Sequence, residues 1–175
     1  GEVSVMRSSF ANLGLGLFLA LLFAYLIVVP LFRSFRQPVG MLIAFPPALA
    51  GVVGLLYVTG TPLSIQALMG SIMVVGITVS YGNLLVDRIN KLRTEGMSLE
   101  EALTEGSRQR LRPIVMTALT TVLGLLPTAI GFGGSSINEP LALAVIGGTS
   151  MAALLTLYVV PVGYRFFSKP ELKSQ

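Results

Sequence analysis

Histidine and cysteine are both absent from this chain, which removes imidazole bases, thiol nucleophiles and the ligand sets that most often hold zinc, copper or haem. No metal site and no cofactor is expected. The polar residues that remain cluster in one apolar stretch: Thr78, Ser80, Tyr81, Asn83 and Asp87, set among Gly, Val, Ile and Leu. Ser80, Asn83 and Asp87 follow i, i+3, i+7 spacing and so share one helix face. Such a strip is either hydrogen-bonding glue between helices, worth about 0.6–2 kcal/mol per contact, or a surface that meets a charged group on another helix. Asp87, beside Arg88 near the end of the stretch, is expected at a solvated membrane interface, as is Arg112.

A second stripe runs Thr117, Thr121, Gly124, Thr128 at i, i+4, i+7, i+11. Small and hydroxylated residues in such a row favour close helix packing. Thr117 differs, because it stands two turns from Arg110 and its hydroxyl is placed to link a mid-helix polar site to a basic helix base. Ala144, Gly148 and Ala152 form a further small-residue seam, read as packing. Met69, Met73 and Met116 carry thioethers that bind soft Cu(I) or Ag(I), but methionines in apolar helices more often fill space.

These residues need positioning elements, and the composition says which kind. Of the 175 residues 53% are hydrophobic and only 11% charged, against about 25% charged in soluble domains. Five runs reach the roughly 20 residues that cross a bilayer core: about 10–32, 38–59, 64–87, 113–133 and 140–164. The class is therefore all-α, a polytopic membrane bundle of five transmembrane helices. In the connecting segment 88–112, Ser98-Leu99-Glu100-Glu101 has capping-box spacing and Gly106 suits a stop, which predicts a short cytoplasmic surface helix. Pro113 then suits the first turn of the next span, while Pro46, Pro47 and Pro127 are expected to kink theirs.

Charge sets the orientation. Twelve Lys and Arg stand against eight Asp and Glu, and the basic residues lie between hydrophobic runs, a topology signal with no nucleic-acid surface in it. Arg33 and Arg36, the six in 88–112, and Arg165, Lys169 and Lys173 all fall on one side; only Arg7 falls on the other. The positive-inside rule then places the N-terminus outside and the C-terminus in the cytoplasm. The opening Gly-Glu-Val-Ser-Val has no signal-sequence features, so an upstream segment is expected to carry it across. No charged residue lies deep in any run, and a principal proton-carrying carboxylate is expected elsewhere.

Several stretches are familiar in order: Ser34-Phe35-Arg36-Gln37-Pro38, Gly60-Thr61-Pro62-Leu63-Ser64 through Gly70, Val86-Asp87-Arg88-Ile89-Asn90, Arg110-Leu111-Arg112-Pro113 through Thr117, Gly124-Leu125-Leu126-Pro127, and Pro140-Leu141-Ala142 through Val159-Val160-Pro161. Over nearly its whole length the chain resembles the resistance-nodulation-division (RND) efflux transporters, specifically helices eight to twelve of their twelve. The resemblance implies a proton/substrate antiporter of the inner membrane, a homotrimer joined to a periplasmic adaptor and an outer-membrane channel, with the N-terminal half of the same transporter outside these residues. Its drive is protonation of an acidic pair on the fourth helix. Drug-exporting members set a lysine from the tenth helix against that pair; here that position is Ser80, so Ser80, Tyr81 or Asn83 must meet the pair instead. Thr117 and Arg110 match the family's relay threonine and basic residue. The alternatives are a non-transporting scaffold or degenerate fragment, and the protein-export branch of the superfamily.

Overall fold

A computed structural model describes residues 2–32, 44–132 and 137–167. Regular structure among them is all helical: α1 Glu2–Phe32, α2 Phe45–Val58, α3 Ile65–Thr94, α4 Leu99–Ala129 and α5 Glu139–Phe167. Four of these are long and apolar enough to cross a membrane, and α2 is a shorter apolar helix of 14 residues. The expectations placed on Arg33, Arg36, Lys169, Lys173 and the start of the second run lie outside the described residues.

Close contacts give the helix directions. Gly70 meets Leu141 and Ala144, and Gly148 meets Val74, so α3 and α5 run in the same sense. Gly51 meets Met151 and Gly147, while Leu55 also reaches Gly147, so α2 runs against α5. Gly106 meets Ile89 and Thr117 meets Tyr81, so α4 runs against α3. Gly16 lies against Ile72, and Val28 joins the cluster around Leu85 and Val86, so α1 follows α3.

The apolar segments of α3 and α5 are 50% and 56% buried, those of α1 and α4 only 6% and 11%. α3 and α5 are thus the central pair, with α2 in close contact and α1 and α4 outside. In lipid no hydrophobic force drives helices together, so close approach and dispersion must do it. The sequence supplies this with glycine at the crossings. A Cβ on Gly51 would collide with the Gly147 carbonyl, and one on Gly70 would stand 2.8 Å from the Ala144 Cβ. The expected seam holds: Ala144 and Ala152 are fully buried and Gly148 packs on Val74 and Val52.

Two local expectations are corrected. There is no separate surface helix and no restart at Pro113: residues 99–129 form one helix, α4. Its N-cap is as read, with the Glu101 N–H donating to Ser98 Oγ (3.4 Å) and the Ser98 N–H to Glu101 Oε2 (3.1 Å). Gly106, however, is a contact point and no stop. It lets α4 lie against Ile89, and Ala102, Leu103 and Ile89 share a buried cluster with Leu85 and Leu92. That packing, together with the strong helix formers of 108–112, carries the helix through glycine and proline. α3 extends correspondingly to Thr94, and Gly96 at φ +94° makes the turn between the two, a conformation glycine adopts without steric cost. Pro46 and Pro47 open α2 and do not kink its interior.

Candidate functional site

Helical geometry sorts the polar strip of α3. Residues 69, 73, 76, 80, 84 and 87 recur at three- and four-residue steps, and Met69, Met73, Gly76, Ser80 and Leu84 are exposed with Asp87 half-buried. This is an open face on one of the two most buried helices. Ser80 lies at its middle and donates to the Gly76 carbonyl (2.9 Å), which spends its proton and leaves its lone pairs free. Asn83 sits at the edge of that face, half-buried, and its Oδ1 is buried without a partner among the described residues. Tyr81 turns the other way, into the core, at 5% exposure.

Tyr81 meets α4 there. The Thr117 hydroxyl lies 3.4 Å from Tyr81 Oη, 2.9 Å from the Ile114 carbonyl and 3.0 Å from the Pro113 carbonyl. It has one proton to donate. That proton goes across the helix interface to Tyr81 Oη or to one of the two carbonyls of its own helix, and the hydroxyl pair links α3 to α4. Arg110, two turns away on the same face of α4, has a buried Nε without a partner among the described residues.

The interfacial residues are placed as follows. Asp87 pairs with Lys91 at 3.0 Å and Arg88 Nε donates to Gln109 Oε1 at 2.6 Å. Arg112 is exposed. Thr117, Thr121, Gly124 and Thr128 do lie in one row, but it is not a tight seam: Thr117 meets Tyr81, Thr121 and Thr128 are half-buried, and a Cβ at Gly124 would meet no atom within 4 Å. Thr121 instead donates to the Thr117 carbonyl (2.9 Å). The methionines are not gathered. Met116 lies level with Gly82, about 13 Å along the axis from Met73 at the helical rise, and it faces outward at 68% exposure.

Two residues were not singled out by sequence reasoning. Thr149 and Thr156 on α5 are fully buried, and their hydroxyls have no partner among the described residues. Their i, i+7 spacing is the only signal in the sequence that could have found them.

A bundle of long apolar helices, with an acceptor-rich face on its central helix, defines a class: a multi-pass membrane protein. The sequence matches the AcrB/AcrD/AcrF family over residues 1–168, and the chain belongs to that family, within the RND transporters. It is 40% identical to the swarming motility protein SwrC of Bacillus subtilis, covering 99% of this chain and 17% of that protein. It is 37% identical to the cobalt-zinc-cadmium resistance protein CzcA of Cupriavidus metallidurans, covering 98% of this chain and 16% of the other. Similarity extends to the multidrug resistance protein MdtC of Erwinia tasmaniensis, 36% identical over 83% of this chain and 14% of that protein. Among solved structures, a heavy metal efflux pump superposes with a TM-score of 0.84 at 31% identity, covering 95% of this chain and 16% of the pump. The chain therefore spans about one sixth of the length of these relatives. Within the heavy metal efflux pump, the part that superposes on this chain is a helical membrane part.

Proposed function

We propose that these residues are the C-terminal transmembrane part, helices eight to twelve, of a proton-driven efflux transporter of the inner membrane. The N-terminus lies in the periplasm and the C-terminus in the cytoplasm, as the one-sided Lys and Arg require. The whole protein works as a homotrimer with a periplasmic adaptor and an outer-membrane channel, and its N-terminal half supplies the proton-binding carboxylates. Proton-relay roles are assigned to Ser80, Tyr81, Asn83, Arg110 and Thr117, and interfacial roles to Asp87, Arg88 and Arg112.

One observation carries this reading: α3 is half-buried in the bundle yet presents an open strip of Gly76, Ser80 and Asn83. Lipid is a poor partner for free hydroxyl and amide lone pairs. A facing carboxyl that is protonated in one state is a good one, because a cation-free, acceptor-rich face stabilises the neutral acid. On the other side of α3 the Tyr81–Thr117 hydroxyl pair ties the helix to α4, which carries Arg110 two turns from Thr117.

The test is made in the full-length transporter reconstituted in proteoliposomes with an imposed pH gradient. Thr117→Ala and Tyr81→Phe are each expected to lower gradient-driven efflux about ten-fold, the loss of roughly 1.4 kcal/mol of coupling, with the amount of folded trimer unchanged. Wild-type efflux in both variants overturns the relay assignment. Wild-type protein that ignores the gradient altogether supports the scaffold reading.

A further inference from the structure

α4 has two exposed faces of different composition. One is the hydroxylated row already described. On the other, Arg108, Arg112, Val115, Leu119 and Leu126 fall within one arc at helical spacing, and all five are exposed. Interfaces between membrane helices favour small and hydroxylated residues, whereas this second face is built of large aliphatic side chains below two guanidinium groups. Lipid fits it. From Arg112 to Ile130 the helix rises about 27 Å, close to the thickness of a hydrocarbon core, so the arginines stand at headgroup depth.

Two arginines at i, i+4 on one face repel each other, and the carboxylates nearby do not relieve them. Glu100 pairs with Arg165 at 3.1 Å, Glu101 closes the capping box with Ser98, Glu105 accepts from Gln109 Nε2 at 2.8 Å, and Asp87 holds Lys91. Among the described residues neither Arg108 nor Arg112 has an ion-pair partner. Side chains one turn apart stand about 5–6 Å from each other at Cβ, a spacing from which two planar donor forks reach the same phosphate.

We propose that Arg108 and Arg112 form a binding site for the phosphate of an anionic phospholipid whose acyl chains lie along Val115, Leu119 and Leu126. The assignment to the cytoplasmic leaflet rests on the orientation proposed above; the site itself does not. Native mass spectrometry of the full-length transporter, with phosphatidylglycerol titrated against phosphatidylcholine, tests it. Arg108→Gln/Arg112→Gln is expected to bind phosphatidylglycerol about 30-fold more weakly than wild type, roughly five-fold for each guanidinium. The control Lys91→Gln/Arg165→Gln removes as much charge from the same end, but from cations already held by Asp87 and Glu100, and is expected to stay within about two-fold. Equal affinity in wild type and the Arg108/Arg112 variant overturns the proposal. So does an equal loss in the control, which would mean diffuse attraction, and so does displacement of the lipid by inorganic phosphate. Labelling of a cysteine introduced at Ser107 by a membrane-impermeant reagent reports the orientation separately, so a wrong leaflet and an absent site give different results.

Discussion

At the scale of single residues, the hydrogen-bond inventory distinguishes glue from function. Ser71, Thr78, Ser80 and Thr121 each return their proton to a carbonyl one turn back, the ordinary fate of a hydroxyl in an apolar helix. Asn83 cannot do this with a whole amide, and its Oδ1 is buried without a partner among the described residues. A buried acceptor without a donor costs about 1–3 kcal/mol, so a purely structural position would be better served by leucine. Asn83→Leu in the full transporter is therefore expected to leave the thermal stability of the membrane domain equal or higher while lowering gradient-driven efflux several-fold. A melting curve and a flux assay on one preparation check both halves. A fall in stability with unchanged flux would make Asn83 a packing residue and remove it from the relay.

At the scale of helices, the glycines divide by what a methyl group would meet. At Gly147 an added Cβ would strike the Gly51 carbonyl and stand 2.8 Å from the Leu55 Cβ; at Gly124 it would meet nothing. Gly147→Ala must push α2 off α5 and is expected to destabilise the bundle by about 1–3 kcal/mol. Gly124→Ala gains helix propensity of up to about 1 kcal/mol and is expected to be neutral or stabilising for the bundle, yet to slow efflux if the hydroxylated row docks against the rest of the transporter. Denaturant titration together with flux separates the two. This division was only half legible in the sequence. The number of apolar runs, the Ser98 capping box and the seam on α5 could be read from spacing, because periodicity and caps are local. The continuity of α4 through Gly106 and Pro113 could not, because it depends on Ile89 receiving Gly106 from another helix. For the same reason the Thr117 row looked like a packing seam: spacing shows that residues share a face and leaves open what the face meets. The Tyr81–Thr117 contact joins positions 36 residues apart, and no local pattern announces it.

At the scale of the whole molecule, the question is how coupling works where drug-exporting relatives are said by resemblance to use a lysine and this chain has Ser80. Ser80 lies mid-way along the open face of α3, with its proton on the Gly76 carbonyl, so it offers lone pairs and no charge. On the proposed function, the carboxylates it faces are compensated only by dipoles, and their neutral form is favoured. Efflux then begins while the outer side is only mildly acidic. Ser80→Lys reverses the local electrostatics. A cation within about 4–6 Å of a carboxylate favours its ionised form, so a lower outside pH is needed to protonate the pair. The pH of half-maximal efflux in proteoliposomes is expected to fall by about one unit or more, with little change in stability, because the new side chain enters the open face and displaces no core residue. Met73 and Asp87 border the same face; if the lysine folds back onto Asp87 and releases Lys91, the profile stays where it was and the Asp87–Lys91 pair is lost. A profile that does not move while that pair persists would show that Ser80 does not face the proton-binding site, and the open strip on α3 would need another occupant.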